Sequence, residues 1–144
     1  MYAIDAKSED FADCHTEQPF KMKYINLRMK KMRTNSKIFC IETEETCAGF
    51  PDVIELNTIS AGSCTQIFFY EFKCSDHNGN IKFQATQPAF YKANKELGVK
   101  VIAYNQYSRR VHLFSTNEIF NKDSPYYTAN GRINLNGVER QVGV

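Results

Sequence analysis

Three residues near the middle of the chain have the types and spacing to hold a hard cation against an anion. Asp52 follows Pro51 directly, and Glu71 and Lys73 stand two positions apart. Carboxylate oxygens suit Mg²⁺, and a cation held by two of them can grip a phosphodiester together with an attacking water. A lysine beside them can position that water or neutralise charge building on the phosphorus. The chemistry requires both carboxylates to leave the same end of a sheet, on elements rigid enough to keep them in place.

The local sequence supplies such elements. Gln66 to Lys73 (QIFFYEFK) is the strongest strand signal in the chain, rich in aromatic and β-branched residues. Glu71 and Lys73 point to one face of it. Asp52 to Leu56 (DVIEL) reads as a second strand, with residues 57–65 as a hairpin connection that brings Asp52 alongside Glu71. A Glu and a Lys inside an aromatic strand are costly unless paired or bound to metal. Each fragment alone is cheap, since E-x-K arises by chance roughly once in a few chains of this size. The competing reading is a surface Glu–Lys pair on an edge strand, with a turn aspartate after proline.

Around this centre, Thr16 to about Arg33 has helical spacing: Phe20, Tyr24, Leu27 and Lys31 share a side, widened by Met22, Ile25, Met29 and Met32, with Thr16 as cap. Lys37–Ile41 is a short strand, and Cys47–Pro51 a turn. Asp76–Asn80 is a loop. Thr86–Leu97 is a helix with Pro88 in its first turn and Gly98 stopping it. Val99–Tyr104 and Val111–Phe114 are strands joined by a turn over 105–110. Ser115-Thr116-Asn117-Glu118 has the form of a capping box, and Asn136-Gly137 signals a hairpin. Residues 1–15 are polar and expected to be loosely held. The order implies an α/β layer with a mixed central sheet, in which residues 68–104 form a parallel crossover.

Gly49-Phe50-Pro51-Asp52-Val53-Ile54, then Phe69-Tyr70-Glu71-Phe72-Lys73, then Gln87 at the head of a helix, resembles the PD-(D/E)XK nuclease superfamily. Within it the pattern is closest to small phage-type, VRR-NUC and Holliday-junction-resolvase-like nucleases, over roughly residues 16–105. The resemblance implies a restriction-endonuclease-like core, with a mixed central β-sheet flanked by helices. It implies a metal-dependent deoxyribonuclease using Mg²⁺, which Mn²⁺ can replace. Asp52 and Glu71 would be metal ligands, joined by the backbone carbonyl of Phe72. Lys73 would be the catalytic lysine, and Gln87 would line the site. Families of this kind often add an acid from the first helix, for which Glu17 is the candidate and Glu9 the second choice. A homodimer is the natural way to act on two strands, and the expected setting is phage or bacterial recombination, repair or host takeover, with junction or flap DNA as substrates.

The composition permits this reading without arguing for it. The chain has 144 residues, 42% hydrophobic and 24% charged, which suits a single nuclease-like domain, with a core at about 16–115 and a C-terminal extension over 116–144. The net charge of +2 is far from that of a dedicated nucleic-acid binder. Basic residues crowd Lys21 to Arg33, either as a solvated helix face or as a phosphate-contacting surface. Lys82, Lys92, Lys95, Arg109 and Arg110 are further candidates for phosphate contacts, with solvated surface as the alternative for each. Tyr126, Tyr127 and Phe83 could stack on bases or pack internally.

Five cysteines without C-x-x-C, no basic-then-apolar leader and no long apolar run point to reduced thiols in a cytoplasmic protein without a membrane span or small-molecule cofactor. A zinc site from Cys14, His15 and a distant cysteine lacks ligand spacing. His77 and His112 stand in no catalytic pattern, and Cys74 reads as a packed strand residue. Two other classes remain open: a catalytically inactive nuclease-fold protein that binds nucleic acid or a partner such as a host defence factor, and a plain α/β interaction domain.

Overall fold

The computed structural model describes residues 3–5, 8–29, 36–41, 48–60, 64–120 and 131–138. Its centre is a six-stranded mixed sheet in the order β1-β7-β6-β4-β3-β2. These strands are β1 (Ala3–Asp5), β2 (Ser36–Cys40), β3 (Val53–Ser60), β4 (Cys64–Cys74), β6 (Lys100–Asn105) and β7 (Arg110–Ser115). A separate two-stranded ribbon joins β5 (Asn80–Lys82) to β8 (Arg132–Asn134). The fold is α/β: β4 and β6 run parallel, and the other neighbours are antiparallel.

β4 is the spine of the molecule. Its alternation divides the core, as the period of two requires. Tyr70 and Phe72 face one layer with Phe20, Ile102, Tyr104 and Val111. Phe69 packs on the other layer, with Phe83, Tyr91, Val101, Ala103 and Phe114. Helix α1 (Glu17–Tyr24) covers the first layer. Its Phe20 ring lies 6.0 Å from Phe72 and 5.6 Å from Tyr104. Helix α2 (Thr86–Ala93) covers the second with Gln87, Pro88 and Tyr91. Gly98, at φ 58°, ends the 3₁₀ turn Lys95–Leu97 that follows α2, in the left-handed conformation that suits glycine.

Several sequence expectations are corrected. The segment 57–65 is largely strand: β3 runs to Ser60 and β4 begins at Cys64, because cross-strand pairing continues through the polar residues 57–58 and 65–66. The first helix turns into a π-helical stretch at Ile25–Met29, and Met22 is 39% exposed rather than part of the apolar face. Among the described N-terminal residues, Ala3–Asp5 pair with β7 and Phe11 is fully buried against Phe20 and Tyr104, so these are held more firmly than expected. Asn136-Gly137 lies in a helical turn, α4 (Leu135–Val138), not a hairpin. Leu135 is pulled into the core, and its N–H donates to Gly79 O (2.8 Å). Ser115 caps α3 (Thr116–Ile119), its Oγ accepting from Asn117 N–H, the second residue of the helix, rather than from Glu118 as a capping box requires. No helix among the described residues is long and apolar enough to cross a membrane.

Candidate active site

Asp52 immediately precedes β3, where Val53 stands opposite Tyr70, so its side chain comes level with the end of β4. Its Oδ1 accepts from Phe72 N–H (3.3 Å), an amide just past the last ladder pair. A strand residue's N–H and C=O point to the same side, so the Phe72 carbonyl also faces toward Asp52. The backbone there is pinned by Ile41 N–H donating to Asp52 O (2.8 Å).

Gly49 explains how the turn before Asp52 can sit against α2. Its φ is +88°, and a Cβ there would lie 2.3 Å from Thr86 O and 2.8 Å from Phe90 Cβ. Only glycine allows this approach. Phe50 completes the contact, with its ring centroid 5.6 Å from Phe90 and 6.1 Å from Phe69. The turn that carries Asp52 and the helix that carries Gln87 are thereby fixed to each other.

Gln87 links the rest. Its Oε1 accepts from Lys73 Nζ (3.1 Å) and from Gln84 N–H (2.9 Å), while its Nε2 donates to Glu71 Oε1 (2.9 Å). The Gln84 contact ties the backbone just before α2 to the same amide, so a residue in the first turn of the helix also orients the site. With both donors on one side of the amide and a carboxylate on the other, its orientation is settled. Lys73 Nζ lies 3.9 Å from Glu71 Oε1 and 4.9 Å from the centre of the Phe83 ring. The alternative of a surface Glu–Lys pair on an edge strand does not hold: β4 is internal to the sheet, and Glu71 and Lys73 are 4% and 9% exposed.

Glu17, the first residue of α1, completes the group. One carboxylate oxygen from each of Glu17, Asp52 and Glu71 lies within 4.8 Å of the others. Three acids this close repel one another. Glu71 is pushed up to about 8, first by burial and then by the charge of Asp52. Burial likewise raises Asp52 and Glu17, with Lys21 partly offsetting the shift at Asp52 through a 3.4 Å contact to Oδ2. Glu71 Oε2 is buried with no hydrogen-bond partner. An oxygen-rich, electron-dense and incompletely satisfied cluster is what a hard divalent cation would complete.

Tyr91 belongs to this neighbourhood as well. It sits four residues after Gln87, one turn along the same face, and helical side chains lean toward the N-terminus. It is 2% exposed, and its hydroxyl has no hydrogen-bond partner. Its ionisation is driven up by burial and then by Glu71, Asp52 and Glu17. The Q-x-x-x-Y spacing was the available sequence signal.

Other candidates are distributed less tightly. Glu9 is exposed in the 3₁₀ turn Ser8–Phe11, outside the carboxylate group. Lys82 lines a cleft of about 320 Å³ together with Glu17 and Lys73. Lys92 and Lys95 line a different, smaller cleft with Thr116, Asn117 and Phe120. Arg109 is in the turn between β6 and β7, and Arg110 opens β7. Phe83 is core, and Tyr126 and Tyr127 fall outside the described residues. Among the described residues the acidic trio is the cluster able to share an ion, and His15 instead meets Gln106 Oε1 (3.0 Å). Cys74 is pushed up to about 11 by burial, which makes it a poor nucleophile. The chain matches no protein-family model, no curated protein and no solved structure.

Proposed function

We propose that the chain is a divalent-metal-dependent nuclease that hydrolyses phosphodiester bonds of DNA. The observation that carries the reading is the convergence of Glu17, Asp52 and Glu71 within 4.8 Å, with Gln87 bonded to both Glu71 and Lys73. Glu17, Asp52 and Glu71 would hold Mg²⁺ or Mn²⁺, with the Phe72 carbonyl on the same side. Bound there, the cation would polarise the phosphate and acidify a water. Lys73, held by Gln87 and the Phe83 ring, stands where it can counter charge growing on the phosphoryl oxygens. Asp52 stays fixed by the Phe72 amide, and Glu71 by Gln87, so little reorganisation is needed during the reaction.

The test incubates the protein with labelled linear, single-stranded, flapped and four-way-junction DNA in Mg²⁺, Mn²⁺ or EDTA. Metal-dependent cutting is expected, reduced about 10²–10³-fold in Lys73→Ala, the loss typical of removing one charge-stabilising group. Folded protein that binds DNA but never cuts it, or cutting that survives in Lys73→Ala, would overturn the reading.

A further inference from the structure

The ribbon of β5 and β8 absorbs residues that the catalytic group does not use. One face, Ile81 and Ile133, is buried in the core, and the pair stands in register. By alternation the other face carries Asn80 and Lys82 from β5, and Arg132 and Asn134 from β8. Asn80 and Asn134 stand opposite each other and are joined by a hydrogen bond from Asn134 Nδ2 to Asn80 Oδ1 (2.9 Å). Lys82 and Arg132 also stand directly opposite, and like charges in that relation destabilise a two-stranded pair. Both are exposed, and both line the cleft of about 320 Å³ whose other walls include Glu17, Lys73 and Cys74.

The ribbon is held firmly in place. Asp76 also lines the cleft, but its carboxylate is committed to the loop before β5, accepting from Asn78 N–H and Asn80 N–H (both 2.9 Å). It also offsets part of the Arg132 charge. Asn136 binds Asn78 O through Nδ2 and accepts from Asn105 Nδ2, tying the end of β8 to β6. Gly131 leads into β8 at φ +69°, where a Cβ would lie 2.6 Å from Phe83 O. Two basic side chains held at a fixed place in a cleft shared with Lys73 offer a positive surface to an entering anion.

We infer that Lys82 and Arg132 form a phosphate subsite, which takes a phosphodiester of the strand being cut next to the one at the carboxylates. The inference rests on the nuclease reading for the identity of its anion. It makes the segment carrying β8 part of the substrate site, reached from a region of sequence far from the catalytic motif. Arg132 supplies a planar donor set suited to phosphate oxygens, and Lys82 a compact charge.

The test measures binding of a short fluorescein-labelled single-stranded DNA by anisotropy in Ca²⁺ across a salt series, and cleavage in Mg²⁺. It compares the wild type, Lys82→Gln, Arg132→Gln and the double variant. Lys37→Gln, an exposed change on β2, controls for loss of charge alone. Each single change is expected to weaken binding about five- to tenfold and to lower the salt slope by about one, with the loss falling on KM more than on kcat. Arg132→Lys should recover part of the affinity. If the wild type cuts DNA while both variants bind and cut as it does, the subsite is wrong and the nuclease stands. If the wild type does not cut, but binding still depends on both residues, the subsite stands and the nuclease reading falls. Absence of DNA binding by the wild type overturns both.

Discussion

Gln87 joins the fold to the candidate site through one side chain. Its amide holds the Gln84 N–H just before α2, and the same amide spaces Lys73 from Glu71, which are 3.9 Å apart. Direct contact between the ammonium and the carboxylate would satisfy both and leave less for a substrate. Gln87→Ala removes the spacer and the tie to Gln84 at once. We expect Mn²⁺ affinity, read by calorimetry, and the rate of DNA cleavage each to fall about 10–100-fold, as for groups that orient metal ligands. The lost hydrogen bond to Gln84 should cost about 1 kcal/mol in a urea melt. Cleavage and metal binding at wild-type levels would show that Gln87 serves the helix alone. Tyr91 has the opposite status, buried without a partner for its hydroxyl beside the same acids. Tyr91→Phe should leave urea stability within about 1 kcal/mol, since an unsatisfied hydroxyl is removed, while slowing cleavage if that hydroxyl bonds a group present only in the loaded site.

At the scale of elements, the decisive junction is the turn before β3 against the start of α2. Gly49→Ala places a methyl into Thr86 O at a φ of +88°. The backbone clash and the strained dihedral together should cost about 3 kcal/mol or more, seen as a lower urea midpoint. Cleavage should fall beyond what the unfolded fraction explains, because Asp52 moves relative to Gln87. This junction also shows what the sequence made legible. Asp52, Glu71 and Lys73 could be read because strand alternation and one proline fix their directions locally, and the strong β4 pattern placed them. Glu17 was readable only as a guess, since α1 reaches the site by packing across the sheet through Phe20. β5, β8 and the burial of Phe11 were missed because three-residue strands and a lone aromatic in a polar stretch carry no period. Their order comes from long-range partners: Ile81 from Ile133, and Phe11 from Phe20 and Tyr104.

At the scale of the whole molecule, two buried titratable centres push stability in opposite directions with pH. His112 is 1% exposed, and burial lowers it to about 4 from 6.5. The unfolded chain then binds more protons between these values, so stability rises with pH across that window, by an amount on the order of 3 kcal/mol. Glu71 is raised from 4.5 to about 8. Here the folded chain binds the extra proton, so stability falls as pH climbs through that range. The two slopes oppose each other from roughly 4.5 to 6.5 and flatten the profile, while above 6.5 the histidine contribution ends and Glu71 goes on lowering stability toward 8. Thermal melts in EDTA should therefore show a plateau in mildly acidic buffer and a decline toward pH 8. Glu71→Gln, which keeps the acceptor for Gln87 and removes the charge, should abolish that decline. Saturating Mg²⁺ should abolish it too, because a cation at the acidic trio favours the ionised form and grows tighter with pH. His112→Gln should extend the decline into acidic buffer by removing the opposing slope. If EDTA and Mg²⁺ curves coincide at every pH, the trio does not hold a cation, and the acids are left as a destabilising cluster without a metal to justify it.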